Sequence, residues 1–186
     1  MARVPKGVLI GAVATILVGG AIVAGVTANN GGGQPIVVRH QAGTSGGSSN
    51  TILPDLVGKD PVTGASVSLA AFRGKPLFIN LWASWCPGCN VEAPDIARFT
   101  KDHPEVGFVG VDEQDTTGAA KSFVAKYRWQ HTSLFDPDGS MGAQLGLQGL
   151  PTTIAVDANG RIVGQVAGIV SYESLTAAAK ELTGAQ

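Results

Sequence analysis

The two cysteines of the chain, Cys86 and Cys89, are separated by two residues within the stretch "WASWCPGCNVEAP", residues 82–94. This spacing suits a redox pair, whose sulfurs must join and separate without movement of the backbone. A structural disulfide is a weaker interpretation, because so short a loop constrains the unfolded chain least. A zinc site is also weaker, because a tetrahedral site needs further ligands and neither His103 nor His131 lies at a recognisable spacing.

The residues around the cysteines predict which sulfur attacks. The apolar run 77–82, "LFINLW", predicts a strand buried on both faces, and a helix is predicted from about 87 to 101. Cys86 then lies at the helix N-terminus, where unsatisfied N–H groups and the helix dipole favour a thiolate. We therefore predict that Cys86 attacks and that Cys89, deeper in the helix, resolves.

The rest of the chain alternates strands and helices. The pattern predicts a small hairpin within 52–76, a strand at 106–112, helices at 117–128 and 140–145, a hairpin from 152–157 and 161–167, and a terminal helix at 171–182 capped by Ser171. This order predicts an α/β domain with mixed strand directions. Trp82 is expected in the core, and Trp129 and His131 are expected in a surface loop.

The N-terminal residues predict a membrane anchor. Arg3 and Lys6 precede an uncharged run at 7–28 that is long enough for a helix that crosses a bilayer. The positive-inside rule then predicts residues 1–28 as a single-pass signal-anchor in the cell membrane, with the C-terminal body extracytoplasmic. A cleaved signal peptide is the alternative, because residues 26–28 resemble a small-residue cleavage site.

Composition predicts one folded domain after this anchor. Residues 29–50, rich in Gly and Ser, are predicted to form a flexible linker, and residues 51–186 are predicted to form the domain. Residues 1–50 contain three basic residues and no acid, which leaves 10 basic and 14 acidic residues in the remainder. A body with this balance and no Lys/Arg-rich run is unsuited to bind a nucleic-acid backbone.

Four motifs carry a resemblance to a known family. They are "GKPLFINLWASWC" leading into the cysteine pair, "CNVEAP" after it, "LPTT" at 150–153 and "VDANGRIV" at 156–163. Over about residues 52–183 the chain resembles the membrane-anchored, thioredoxin-like thiol-disulfide oxidoreductases of the TlpA/ResA/CcmG (DsbE-like) type. The resemblance implies a thioredoxin-like α/β fold, with a central mixed β-sheet flanked by helices and an N-terminal β-hairpin extension.

The resemblance assigns a catalytic role to Glu92, because the family carries a functional acid three residues after the second cysteine. Residues i and i+3 share a helix face, so Glu92 is expected near Cys89. A partly buried carboxylate beside a thiolate would have a raised pKa and would shuttle a proton during exchange. A solvated surface glutamate is the alternative. Thioredoxin has a buried aspartate six residues before its first cysteine, where this chain has Asn80, which leaves Glu92 as the titrating candidate.

The resemblance also implies a substrate-binding set. Leu150-Pro151 matches the family's cis-proline loop, which offers backbone groups to an extended substrate segment. Trp85 is expected to shield the sulfurs and Gly88 to leave them uncovered. The predicted substrate-binding residues are Trp85, Pro87, Gly88, Leu150 and Pro151. Pro94 matches a helix-kinking proline, and a new helix start is the other interpretation.

These residues predict an extracytoplasmic reductase of protein disulfides, with cytochrome c maturation as the family's best-known use and apocytochrome c as a substrate. Electrons are expected from a membrane thiol carrier, because the chain has no nucleotide or flavin motif. No cofactor beyond the redox-active disulfide, and no metal, is predicted. An oxidase or isomerase stays open, because relatives place proline just before the second cysteine whereas this chain has Pro87-Gly88, and that dipeptide affects the reduction potential.

Two other functions are less favoured. Peroxide reductases of the peroxiredoxin type typically have threonine three residues before the reactive cysteine, where this chain has Ala83. Thioredoxin-like copper chaperones have a wider cysteine spacing and a dedicated histidine, and neither His103 nor His131 is evidently that ligand.

Overall fold

The computed structural model describes residues 32–38 and 51–184. The predicted anchor at 1–28 and much of the predicted linker at 29–50 lie outside these residues. Within the described ranges, no helix is both long and apolar enough to cross a bilayer.

Residues 51–184 form a five-stranded mixed β-sheet with helices on both sides, together with a separate two-stranded hairpin. The elements are β1 (Val57–Lys59), β2 (Ser66–Ser68), a 3₁₀ turn (Leu69–Phe72), β3 (Leu77–Trp82), α1 (Pro87–Asp102), β4 (Gly107–Glu113), α2 (Thr117–Tyr127), β5 (Ser133–Asp136), α3 (Ser140–Gln144), β6 (Thr152–Val156), β7 (Ile162–Ala167) and α4 (Tyr172–Thr183). The sheet order is β5-β4-β3-β6-β7, with β4 parallel and β6 antiparallel to β3. The predicted mixed sheet and N-terminal hairpin are confirmed.

The central strand β3 is buried along its whole length. This is expected for a strand that has a neighbouring strand at each edge and packed side chains on each face. Phe78 and Trp82 pack into a cluster with α1, α2 and α4. Leu77, Ile79 and Leu81 pack on the opposite face, against the hairpin, the 3₁₀ turn and the α3 segment. Because both faces are covered, β3 is apolar at nearly every position, which is why the run at 77–82 identified it.

The segment between α2 and α3 is more buried than predicted. Strand β5 was not identified from the sequence, because it is too short to show an alternating pattern. Trp129, predicted in a surface loop, is 6% exposed, and its indole N–H donates to the Ala93 carbonyl (3.0 Å). His131, also predicted there, has both ring nitrogens buried beside the Phe108 and Trp129 rings, and burial lowers its pKa to about 3. Both predictions were wrong, because these side chains join an aromatic cluster around Trp82 that forms only in the folded state.

Residues 32–38, here called the N-terminal strap, lie against the domain. Ile36 and Val38 are 6% and 9% exposed and belong to the core cluster on the α1 side of the sheet. The Gln34 N–H donates to the Ile169 carbonyl (2.6 Å), in the loop that precedes α4. The prediction of a flexible linker is therefore wrong for the strap.

The strap also crosses the sheet face at β7. The Val37 carbonyl oxygen lies 2.7 Å from the position that a Cβ on Gly164 would occupy, so the approach depends on a glycine in β7. Composition averaged over 29–50 concealed this docking, because the abundant Gly and Ser outweighed the apolar run "PIVV" at 35–38. A short apolar run is enough to dock a segment against the domain when the fold provides an apolar groove for it.

We predict that Ile36→Ala lowers the free energy of unfolding by about 2 kcal/mol, because it leaves a cavity under the strap. Denaturant unfolding of a fragment that begins at residue 29 measures this change. The matched control is Val37→Ala, at a neighbour that is 62% exposed, which should change stability by less than about 0.5 kcal/mol. Equal, small effects of the two substitutions would mean that the strap is not docked in solution.

Candidate active site

The junction between β3 and α1 positions the cysteine pair. Cys86 is the N-cap of α1, in an extended conformation with φ −79° and ψ 117°, and Pro87 takes the first helical position. The Cys86 Sγ accepts a hydrogen bond from the Cys89 N–H (3.1 Å). The two sulfurs are joined as a disulfide, with the Cα atoms 5.3 Å apart. The predicted placement of the pair at a helix N-terminus is confirmed.

Both cysteines are buried, Cys86 at 2% exposure and Cys89 at 0%. Cys89 is the deeper of the two, as predicted. The expectation that Gly88 leaves the sulfurs uncovered is wrong, because neither cysteine has appreciable contact with solvent. In residues 32–38 and 51–184, no group of three or more His, Cys, Asp or Glu side chains is arranged to hold a metal ion.

Three segments meet at the first turn of α1. The Leu150-Pro151 peptide bond is cis, as the resemblance implied, and Pro151 is buried. The Pro151 Cδ lies 2.8 Å, and the Ile169 Cγ1 3.4 Å, from the position that a Cβ on Gly88 would occupy. The Gly168 N–H donates to the Pro151 carbonyl (2.8 Å), which joins the loop before α4 to the cis-proline loop. Gly88 is needed here because any side chain would push these loops apart.

The other residues of the predicted substrate-binding set lie nearer the solvent. Trp85 is 59% exposed, Pro87 is exposed and Leu150 is half-buried. The Trp85 indole N–H donates to the Gln114 carbonyl (3.2 Å), which ties this ring to the loop between β4 and α2. Contact of these residues with a substrate, and shielding of the sulfurs by Trp85, stay predictions.

Glu92 is buried, with 1% exposure, one helical turn after Cys89. Its Oε1 accepts from the Asn80 Nδ2 (2.9 Å) and its Oε2 accepts from the Val170 N–H (2.9 Å). Burial raises the pKa of Glu92 from 4.5 to about 7, and the hydrogen bonds from Val170 and Asn80 offset part of that increase. The alternative of a solvated surface glutamate is wrong.

Asn80 donates a hydrogen bond to the Glu92 carboxyl, a role that was not predicted from the sequence. It lies in the middle of β3, opposite Thr153 of β6, and its Nδ2 also donates to the Thr153 Oγ1 (3.1 Å). A carboxamide at this position supplies an N–H to the buried Glu92 carboxyl. An aspartate, as in thioredoxin, would instead place a second carboxyl against the first, and like charges at such a distance cannot both ionise.

Pro94 lies inside α1, which begins at Pro87 and runs to Asp102. The interpretation of Pro94 as the start of a new helix is therefore wrong. Proline here supplies no N–H to the Asn90 carbonyl one turn earlier. The helix nonetheless continues, because its inner face packs against the sheet through Ile96 and Phe99.

A second group of buried acids, not predicted from the sequence, lies at the end of β4. Asp112 is completely buried and Glu113 is 3% exposed. Burial, together with the nearby Asp115 carboxylate, raises the pKa of Asp112 to about 8, and burial with Asp136 does the same for Glu113. The signal for these residues was "VDEQD", in which acids follow an apolar strand directly.

We predict that Gly88→Ala lowers the free energy of unfolding of the oxidised protein by about 1 to 3 kcal/mol. The added methyl group overlaps the Pro151 ring, which cannot rotate away as a flexible side chain could. Gly149→Ala, two residues before Pro151, is the control, since a Cβ there meets nothing within 4 Å. Chemical denaturation measures both. Wild-type stability in Gly88→Ala would contradict the close packing of Pro151 on α1.

Comparison with known proteins agrees with this geometry. The chain matches the Redoxin family over residues 48–179. It is 33% identical over 124 residues to the soluble secreted antigen MPT53 of Mycobacterium tuberculosis, covering 66% of this chain and 72% of that protein. It is 38% identical over 104 residues to the thiol:disulfide interchange protein HelX of Rhodobacter capsulatus, covering 55% of this chain and 58% of HelX.

Solved structures show the same fold. A secreted Mycobacterium tuberculosis disulfide oxidoreductase, described as homologous to Escherichia coli DsbE, is 31% identical and superposes with a TM-score of 0.64, covering 69% of this chain and 96% of that one. DsbF of Mycobacterium tuberculosis is 35% identical with a TM-score of 0.65, covering 70% of this chain and 98% of that one. Since the family match spans most of the described domain, the chain belongs to the Redoxin family and is a thiol-disulfide oxidoreductase of thioredoxin-like fold, with Cys86 and Cys89 as its CxxC pair.

Proposed function

We propose that this oxidoreductase works as a reductant of protein disulfides outside the cytoplasm. The observation that supports thiol-disulfide exchange by this pair is the buried Glu92 carboxyl, whose pKa of about 7 suits proton transfer at neutral pH, one turn from the buried Cys89. The reductive direction of the proposal follows the family resemblance. A reductant must deprotonate its buried resolving thiol, and the apolar surroundings of that thiol make this step difficult without a nearby base.

The proposed reaction transfers two electrons from the reduced pair to the substrate. The Cys86 thiolate attacks one sulfur of the substrate disulfide, and the other substrate sulfur leaves as a thiolate that takes a proton. Cys89 then gives its proton to the Glu92 carboxylate, and the resulting thiolate attacks the Cys86 Sγ. The bond between Cys86 and the substrate breaks, and the second substrate sulfur leaves as a thiolate that takes up the proton held by Glu92. The products are the substrate dithiol and the Cys86–Cys89 disulfide.

The substrate-binding residues of this proposal are Trp85, Pro87, Gly88, Leu150 and Pro151. The contact between Gly88 and Pro151 holds the cis-proline loop beside the disulfide. An extended substrate segment would pair with backbone groups of this loop, and such pairing accepts many sequences. The exposed Trp85 and Pro87 and the half-buried Leu150 would add apolar contacts around it.

The location and partners belong to the same proposal. The uncharged run at 7–28 supports a single-pass anchor, and two of the three mycobacterial proteins described above, MPT53 and the DsbE homologue, are named as secreted. Apocytochrome c, whose haem-binding cysteines must be reduced, is the proposed substrate, in cytochrome c maturation. The pair itself is the only redox group that this mechanism requires, so a membrane thiol carrier is proposed to supply the electrons.

The reduction potential tests the direction. We expect the Cys86–Cys89 pair, equilibrated against defined thiol/disulfide buffers, to have a potential near that of thioredoxin, about −270 mV. The fragment should include the strap, because the strap contacts the loop before α4. A potential near about −120 mV would make the protein a disulfide donor, the alternative that the Pro87-Gly88 dipeptide leaves open.

We also predict that Glu92→Gln slows exchange at neutral pH and removes an inflection near pH 7 from the rate profile. The sign of the stability change gives a second measurement. Because folding raises the pKa of Glu92, the folded state holds a proton between about pH 4.5 and 7 that the unfolded chain releases, so wild-type stability falls as pH rises through this window. Glu92→Gln should remove that fall.

The matched control is Glu181→Gln, at an exposed glutamate of α4. It should leave both the rate profile and the pH dependence of stability unchanged. If Glu92→Gln keeps the wild-type rate profile but loses the pH-dependent stability, Glu92 is a buried structural acid and takes no part in proton transfer.

A further inference from the structure

The residue that follows the second cysteine, Asn90, makes four side-chain hydrogen bonds at the redox loop. Its Nδ2 donates to the Cys86 carbonyl (2.9 Å) and to the Ser84 carbonyl (3.1 Å). Its Oδ1 accepts from the Tyr127 hydroxyl (2.8 Å) and from the Lys126 Nζ (3.3 Å). The side chain therefore bridges the backbone of the loop to the last turn of α2.

The chemistry of these partners fixes the orientation of the amide. The two backbone carbonyls can only accept hydrogen bonds, and the Lys126 ammonium can only donate. One end of the side chain must therefore be a donor and the other an acceptor. A carboxylate would place an oxygen against two carbonyl oxygens, and an aliphatic side chain would leave all four groups without this partner, so a short carboxamide is the side chain that fits.

Two further hydrogen bonds hold the same short loop. The Ser84 N–H donates to the Asp115 Oδ2 (2.7 Å), and the Trp85 indole N–H donates to the Gln114 carbonyl (3.2 Å). Both acceptors belong to the loop between β4 and α2. Residues 84–86 are thus held by hydrogen bonds to the loop before α2 and by the side chain of Asn90, which belongs to the active-site helix itself.

The Cys86 carbonyl is where the Asn90 side chain contacts the backbone of the attacking cysteine. It accepts from the Asn90 backbone N–H (3.2 Å) as well as from the Asn90 side chain, so one residue closes the first turn of α1 twice. That turn aims the Cys89 N–H at the Cys86 sulfur (3.1 Å). In the reduced protein, the same N–H would stabilise the attacking thiolate.

We propose that Asn90 is a positioning residue for thiol-disulfide exchange, which holds the first turn of α1 so that its N–H groups face the Cys86 sulfur. Asn90 acts through the backbone of Ser84 and Cys86 and touches neither the substrate nor the sulfurs. The proposal depends on exchange by the Cys86–Cys89 pair and holds whichever way the electrons flow. Its test is therefore separate from the test of the reductase direction.

The test measures two properties of the reduced full domain, including the strap: the thiolate fraction of Cys86 at neutral pH, from ultraviolet absorbance, and the second-order rate constant with a small aromatic disulfide. In Asn90→Ala we expect both to fall about three- to tenfold, the range that one net hydrogen bond accounts for. Asn90→Asp should fall further, since its carboxylate opposes the two carbonyls and the thiolate. Asn159→Ala, in the exposed turn between β6 and β7, is the matched control and should change neither property.

Tyr127→Phe tests the bridge without altering α1. It removes one donor to the Asn90 Oδ1 and leaves Lys126, so we expect a smaller loss, about twofold, in the same two properties. If Asn90→Ala lowers thermal stability but keeps the wild-type thiolate fraction and rate constant, Asn90 is only a packing residue and the proposal is wrong. If Asn90→Ala does not fold, unchanged values in Tyr127→Phe overturn the proposal.

Discussion

Burial of the Glu92 carboxyl is the interaction on which the rest of the site depends. A carboxyl removed from water needs hydrogen-bond donors, and the fold provides them from the Asn80 side chain and the Val170 backbone. These two bonds connect the active-site helix to the central strand and to the loop before α4. Because the donors are neutral, they offset desolvation only in part, and the pKa stays near 7. A buried cation in their place would hold the carboxylate ionised and remove its capacity to exchange a proton near neutral pH.

Close packing around the first turn of α1 follows from the same arrangement. Once Glu92 is bound to Val170, the loop before α4 lies beside the helix start, and its Ile169 packs near Gly88. Pro151 fills the remaining space, and the absence of a side chain at Gly88 allows it to do so. The disulfide is thereby enclosed by segments that are far apart in sequence, which explains why both cysteines are buried.

Much of this architecture is readable from local patterns. The run at 77–82 is apolar at nearly every position because β3 is covered on both faces, and such a run identifies a central strand without further information. A proline directly after Cys86 marks the helix start, since the first helical N–H has no partner to lose. Longer elements were predicted to within a few residues, whereas β5 was too short for its pattern to be visible.

Other features depended on contacts between distant residues. The strap, Trp129 and His131 have local sequences typical of linkers or loops. Ile36 and Val38 of the strap, Trp129 and the ring nitrogens of His131 are nonetheless buried, because the folded sheet and helices offer them apolar surface. The donor role of Asn80 and the bridge made by Asn90 likewise depend on which side chains the topology brings within hydrogen-bond distance.

Residue spacing and hydrophobic pattern are enough to predict the cysteine pair, its place at a strand–helix junction and the α/β order of the domain, and the resemblance to a known family adds the thioredoxin-like fold. Tertiary structure decided that Glu92 is buried with a pKa near 7, that Gly88 lies against Pro151 and that residues 32–38 belong to the domain. The physical reason is that desolvation and packing depend on everything that surrounds a side chain, and local sequence specifies only its neighbours along the chain.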